Sequence, residues 1–169
     1  MINHTKVKKL CLISVLCAIS IILNYIEMLF PIYLGIPGAK LGLANIVTLT
    51  ILICIGFKEA LAVMFLRIFI IGITFTNFYM MLYSLSGGLL SIFIMIIMLR
   101  SHLFSHVVVS IMGGIFHNIG QLIVAFIFFS SASFIYYLPY LILLGLIAGA
   151  MVGVIAHLIY KKINPIIQL

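Results

Sequence analysis

The chain has 169 residues, 66% of them hydrophobic and 7% charged, with a formal net charge of +7 and a mean hydropathy of +1.46. Soluble domains carry roughly 25% charged residues, so this composition excludes both a water-soluble globule and a disordered chain and leaves a polytopic α-helical membrane protein. The only acids are Glu27 and Glu59 and no G-x-x-x-x-G-K-[ST] stretch occurs, which argues against Mg²⁺ chemistry on carboxylates and against ATP hydrolysis by this chain alone.

A spanning helix takes roughly 20 apolar residues. Six such spans use almost the whole chain, so the expectation is an all-α membrane protein, a six-transmembrane-helix bundle forming a single transmembrane domain over 1–169. In chain order the first span is expected at about 8–29. The cations Lys6, Lys8 and Lys9 before it mimic a signal peptide, but the apolar run continues to about Leu29 with no A-x-A pattern after it, and it reads as a retained span. A linker with Pro31, Gly35, Pro37 and Gly38 leads to Lys40. Spans two and three are expected at about 41–55 and 58–73, joined by a tight Gly56-Phe57 turn. Both are short, so they either tilt little or end inside protein rather than lipid. A polar break from Thr74 to Asn77 precedes span four at about 78–99, and Arg100 to Leu103 form a short loop before span five at about 104–129. Ser130 to Ser133 open the last loop, and span six is expected at about 138–160. Cys11, Cys17 and Cys54 lie in apolar runs without a C-x-x-C pair and read as packing residues.

With both termini in the cytoplasm, Lys6, Lys8, Lys9, Lys58, Arg100, Lys161 and Lys162 all fall on the inner side. Lys40 alone falls outside, and Arg67 lies within a span. This is the positive-inside asymmetry, and it accounts for the net charge without nucleic acid. The outer loops and their edges carry Tyr33, Asn77, Tyr79, Tyr136 and Tyr137. Those tyrosines form either an interfacial aromatic belt or a lid over an outward-facing pocket.

Polar groups in hydrocarbon are expensive and mark sites. His117, Asn118 and Gln121 sit in span five at i, i+3 and i+4 spacings that share one broad face, with Gly113 and Gly114 a turn earlier. They are either interhelical hydrogen-bond partners or a ligand-binding face; one His with two amides is a poor metal set. Arg67 is about 13 Å into span three. It either pairs structurally with Glu27 or helix-end carbonyls, or meets an anionic part of a ligand. Lys40, flanked by glycines before span two, either snorkels or adds a cation to a helix N-terminus suited to an anion. Asn24, Glu27 and Asn45 can line the same cavity. Gly145, Gly149 and Gly153 recur every four residues as a close-packing stripe, and Gly87, Gly88 and Ser91 read the same way.

The stretches Lys40-Leu41-Gly42-Leu43-Ala44-Asn45-Ile46-Val47-Thr48-Leu49, Phe57-Lys58-Glu59-Ala60 with Arg67, Tyr83-Ser84-Leu85-Ser86-Gly87-Gly88 and His117-Asn118-Ile119-Gly120-Gln121 together resemble a bacterial membrane family. That family is labelled heptaprenyl diphosphate synthase component I, or Gx transporter. Its layout is similar to the substrate-binding S components of energy-coupling factor (ECF) transporters, which capture a vitamin-like molecule on the outer side and dock on a T subunit driven by two ATPase subunits. The resemblance implies a cell-membrane capture subunit, not an enzyme, for a small, partly anionic organic molecule. Its binding residues would be Lys40, Asn45, Arg67, Tyr79, Tyr83, His117, Asn118 and Gln121, with the linker from Phe30 to Ala39 as gate. Where S components often carry Ala-xxx-Ala in the first helix, this chain has Ser14 and Ala18. The alternative is a non-catalytic membrane accessory of isoprenoid, quinone or extracellular electron-transfer machinery. No cofactor is expected.

Overall fold

The computed structural model describes residues 4–29, 42–129 and 132–167. Six α-helices occupy the six apolar stretches: α1 (His4–Leu29), α2 (Leu43–Cys54), α3 (Phe57–Thr74), α4 (Phe78–Ser101), α5 (His106–Phe129) and α6 (Leu138–Ile167). A 3₁₀ turn, Ala132–Tyr137, runs directly into α6 where a loop was expected. The linker between α1 and α2, with Lys40, Tyr33 and the expected gate, lies outside the described residues.

Local chemistry sets the helix ends. Asn77 caps α4 by accepting the Met80 N–H through its side chain at 2.9 Å. His102 closes α4 in the left-handed region at φ 55°. The turn between α2 and α3 passes through Gly56 at φ 140°, a conformation open to glycine because it has no Cβ.

Four stretches are long and apolar enough to cross a bilayer: Val7–Leu29, Phe78–Ser101, His106–Phe129 and Ile135–Ile163. Together they make the chain a multi-pass helical membrane protein. α2 is different. Its 12 residues extend about 18 Å, short of the roughly 30 Å hydrocarbon core. Ala44 and every residue from Ile46 to Leu52 are buried, as expected of a helix that is apolar all round and surrounded by protein. Its two buried threonines bond their own helix, Thr50 Oγ1 donating to the Ile46 carbonyl at 2.7 Å and Thr48 Oγ1 to the Ala44 carbonyl at 3.5 Å.

The helices form two layers. α2 packs on α1 and α3, and α5 lies between α4 and α6; α2 against α6 and α3 against α4 join the halves. The α4–α5–α6 half is knit by glycine. A Cβ on Gly120 would lie 2.7 Å from the Ser86 carbonyl oxygen, and one on Gly87 would lie 2.8 Å from the His117 carbonyl oxygen. The α6 stripe meets α5 in register: Gly153 against Val107, Gly149 against Ile111, Gly145 against Gly114 and Ile115. Such backbone approach is how helices associate where burial of apolar surface from water gives no drive.

The ends of the bundle differ in charge. Lys9 of α1 and Glu59 of α3 pair at 2.5 Å, which sets both helix N-termini at one end. His106 of α5 meets His157 of α6 at the same end, where Lys58, Arg100, Lys161 and Lys162 also fall by position along their helices. Among the described residues Arg67 is the one cation set well inside a helix away from it. The other end carries aromatic pairs, Tyr25 with Phe75 at 4.9 Å and Tyr79 with Phe128 at 5.2 Å between ring centroids.

Candidate functional site

The buried face of α3 reads Ala60, Val63, Met64, Arg67, Ile68, Ile71 and Gly72. Arg67 occupies a core position in that i, i+3, i+4 pattern, so its guanidinium cannot reach water. It is 5% exposed. Its Nη2 donates to Asn45 Oδ1 of α2 at 3.4 Å, and Glu27 of α1 is the acid whose charge acts on it. Arg67 Nε is buried with no hydrogen-bond partner among the described residues.

The interior face of α1 supplies the rest of this polar layer. Ser20, Asn24 and Glu27, at steps of four and three, are all buried. The Glu27 carboxylate accepts the Gly42 N–H at 2.5 Å. Gly42 is the residue before α2, at φ 75°. One carboxylate therefore serves two positive groups, a helix N-terminus and a guanidinium.

Across the seam, Asn118 of α5 is buried and donates through Nδ2 to the Leu141 carbonyl of α6 at 2.8 Å. His117 Nε2 and Gln121 Nε2 stand 3.2 Å apart along the same helix, the i, i+4 contact expected of that spacing.

A cavity of about 30 Å³ lies between the two halves, enough for a water molecule. Gly42, Asn45 and Leu49 line it from α2, Ser91 and Met95 from α4, and Ser110, Gly113, Gly114, His117 and Asn118 from α5; α6 closes it with Gly145, Ala148, Gly149 and Val152. Asn45 is the hinge of the arrangement, because it faces this cavity and bonds Arg67 behind it.

The expected site residues divide accordingly. Asn45, His117 and Asn118 share the cavity; Arg67 joins through Asn45 and Gln121 through His117. Tyr79 and Tyr83 are not among the lining residues. Tyr79 is 54% exposed against Phe128 at the end of the bundle. Tyr83 sits on α4 with its carbonyl accepting the Ser86 hydroxyl at 3.1 Å. Lys40 lies outside the described residues. Ser20 and Ser110 were not singled out from sequence. Ser20 had a readable signal, since it falls on the helical face of Asn24 and Glu27. Ser110 had none, because its exposure depends on how α5 is rotated.

A multi-pass helical bundle with a polar seam between two three-helix halves is the class of protein these features define. The family model described as heptaprenyl diphosphate synthase component I matches residues 16–159, and the chain belongs to that family. No curated protein and no solved structure matches the chain.

Proposed function

We propose that this chain is a substrate-capture subunit, a six-helix membrane bundle similar to an S component. It binds a small, partly anionic organic molecule from the outer side and hands it to partner subunits for ATP-driven uptake. The observation that carries the reading is Asn45. Its amide touches Arg67, one of two buried charged groups among the described residues, while facing a cavity shared with His117 and Asn118. A mostly apolar pocket with a few convergent polar groups is the usual design of a small-molecule site.

The cavity as it stands admits water, so a larger guest enters by parting α2 from the glycine-knit half. The charge of Glu27 acts on Arg67, and the buried Arg67 Nε, without a hydrogen-bond partner among the described residues, is a donor for the guest. Lys40, two residues before Gly42, supplies the remaining positive charge. The basic end faces the cytoplasm under the positive-inside rule, which turns the Asn45 end outward. The family description supports a second reading, a membrane component of a prenyl diphosphate synthase that binds no solute.

Native mass spectrometry of the detergent-purified protein tests the choice. A retained small molecule, lost in Asn45→Ala and His117→Ala variants that keep their helical content, supports capture. Wild type without any retained molecule, co-purifying with a prenyl synthase and not with ATPase subunits, overturns it.

A further inference from the structure

A second polar contact lies at the basic end, about one helical turn beyond the cavity lining at Ser110 and Val152. The first turn of α5 and a late turn of α6 bring His106 Nδ1 and His157 Nδ1 to 3.2 Å. The rings are tilted at 57° with centroids 5.4 Å apart. Tyr160 stands edge-on to His106 at 4.9 Å. Both imidazoles are partly exposed, at the basic end of the bundle. The spacing is fixed by backbone. Gly153, one turn before His157, approaches Val107, the neighbour of His106, so closely that a Cβ there would lie 2.9 Å from the Val107 Cα.

Two imidazole nitrogens bound to one tetrahedral ion at 2.0–2.1 Å lie about 3.3 Å apart. His106 and His157 already hold that separation through the same ring atom. We propose that they form a two-imidazole site for a divalent transition cation of the copper, nickel and zinc class, completed by water. Imidazole nitrogen suits these ions. Without metal, one Nδ1–H bridges the pair. On binding, that hydrogen moves to Nε2, and both Nδ1 lone pairs turn to the ion. Lys161 and Lys162 follow His157 by four and five residues. Their charge opposes a divalent cation and leaves the strongest imidazole binder, Cu²⁺, favoured over Ni²⁺ and Zn²⁺. No third His, Cys, Asp or Glu completes a cluster among the described residues, so the site is shallow and exchangeable.

The test uses tag-free full-length protein in detergent, titrated calorimetrically with CuCl₂, NiCl₂ and ZnCl₂, with electron paramagnetic resonance of the Cu²⁺ form. The expected result is one saturable equivalent, a Cu²⁺ spectrum with two imidazole nitrogens, and at least tenfold weaker binding in both His106→Asn and His157→Asn. His102→Asn, which alters an exposed histidine, leaves binding unchanged. If one variant fails to fold, the other variant and the wild-type spectrum carry the decision. Absence of saturable binding, a spectrum with fewer than two nitrogens, or binding unchanged in the His106 and His157 variants overturns the proposal.

Discussion

Removing Glu27 and Arg67 separately and together measures how far the polar layer is a charge pair. Glu27→Gln keeps an oxygen that can accept the Gly42 N–H and removes the charge alone. Arg67, 5% exposed, is then left without its counter-charge. Breaking a buried pair from one side costs about 3–5 kcal/mol. Arg67→Met leaves Glu27, 9% exposed, beside the Gly42 N–H and the positive end of α2. That terminus favours a carboxylate by up to about 2 kcal/mol, so this variant loses less. With both charges gone, the double variant is more stable than the sum of the single losses by about 2 kcal/mol or more. Reversible unfolding in mixed micelles of increasing SDS fraction, followed by far-ultraviolet circular dichroism, gives all four stabilities. A coupling below about 0.5 kcal/mol, the range of independent sites, refutes the pairing and with it the account of Arg67 as a balanced interior charge.

Three further outcomes follow from the geometry. Gly149→Val sets a side chain where a Cβ alone would lie 2.7 Å from Ile111 Cα and from the Ser110 carbonyl oxygen. Backbone cannot yield as a side-chain tip does, so the same unfolding assay should lose at least about 2–3 kcal/mol, against little change for exposed Ile147→Val. Asn118→Leu removes the 2.8 Å donation to Leu141; interhelical bonds of this kind average about 0.6 kcal/mol and reach about 1.7, and a loss beyond that range would mean the amide holds more than one partner. Cysteines introduced at Lys9 and Lys161 should both be labelled by impermeant maleimide from one side of sealed vesicles, since the Lys9–Glu59 and His106–His157 contacts place them at one end; opposite-side labelling would break that topology.

Element positions were legible because apolar runs and punctuation determine them: Gly56 and Asn77 mark the breaks on either side of α3, and the structure uses both as helix boundaries. The glycine stripe of α6 was legible for the same reason, because a period of four fixes one face. The polar layer was legible only along each helix. Spacing aligned His117 with Gln121, and their contact is local. It left open whether Arg67 meets Glu27 or a cavity, because that depends on the rotation of α1, α2 and α3 about their axes. Tyr79 shows the converse limit. Its position beside a loop fits a lid and a belt equally, and the edge contact with Phe128 on the bundle rim is compatible with both.

The length of α2 ties these observations together. A helix of about 18 Å is shorter than a roughly 30 Å hydrocarbon layer, and where its terminal N–H groups are enclosed by protein each needs a partner there. At Gly42 that partner is Glu27. One of only two acids in the chain is thus buried where it meets the start of α2. Once a carboxylate is there, a neighbouring guanidinium is tolerated, and Arg67 takes an interior place on α3 that would otherwise require an apolar residue.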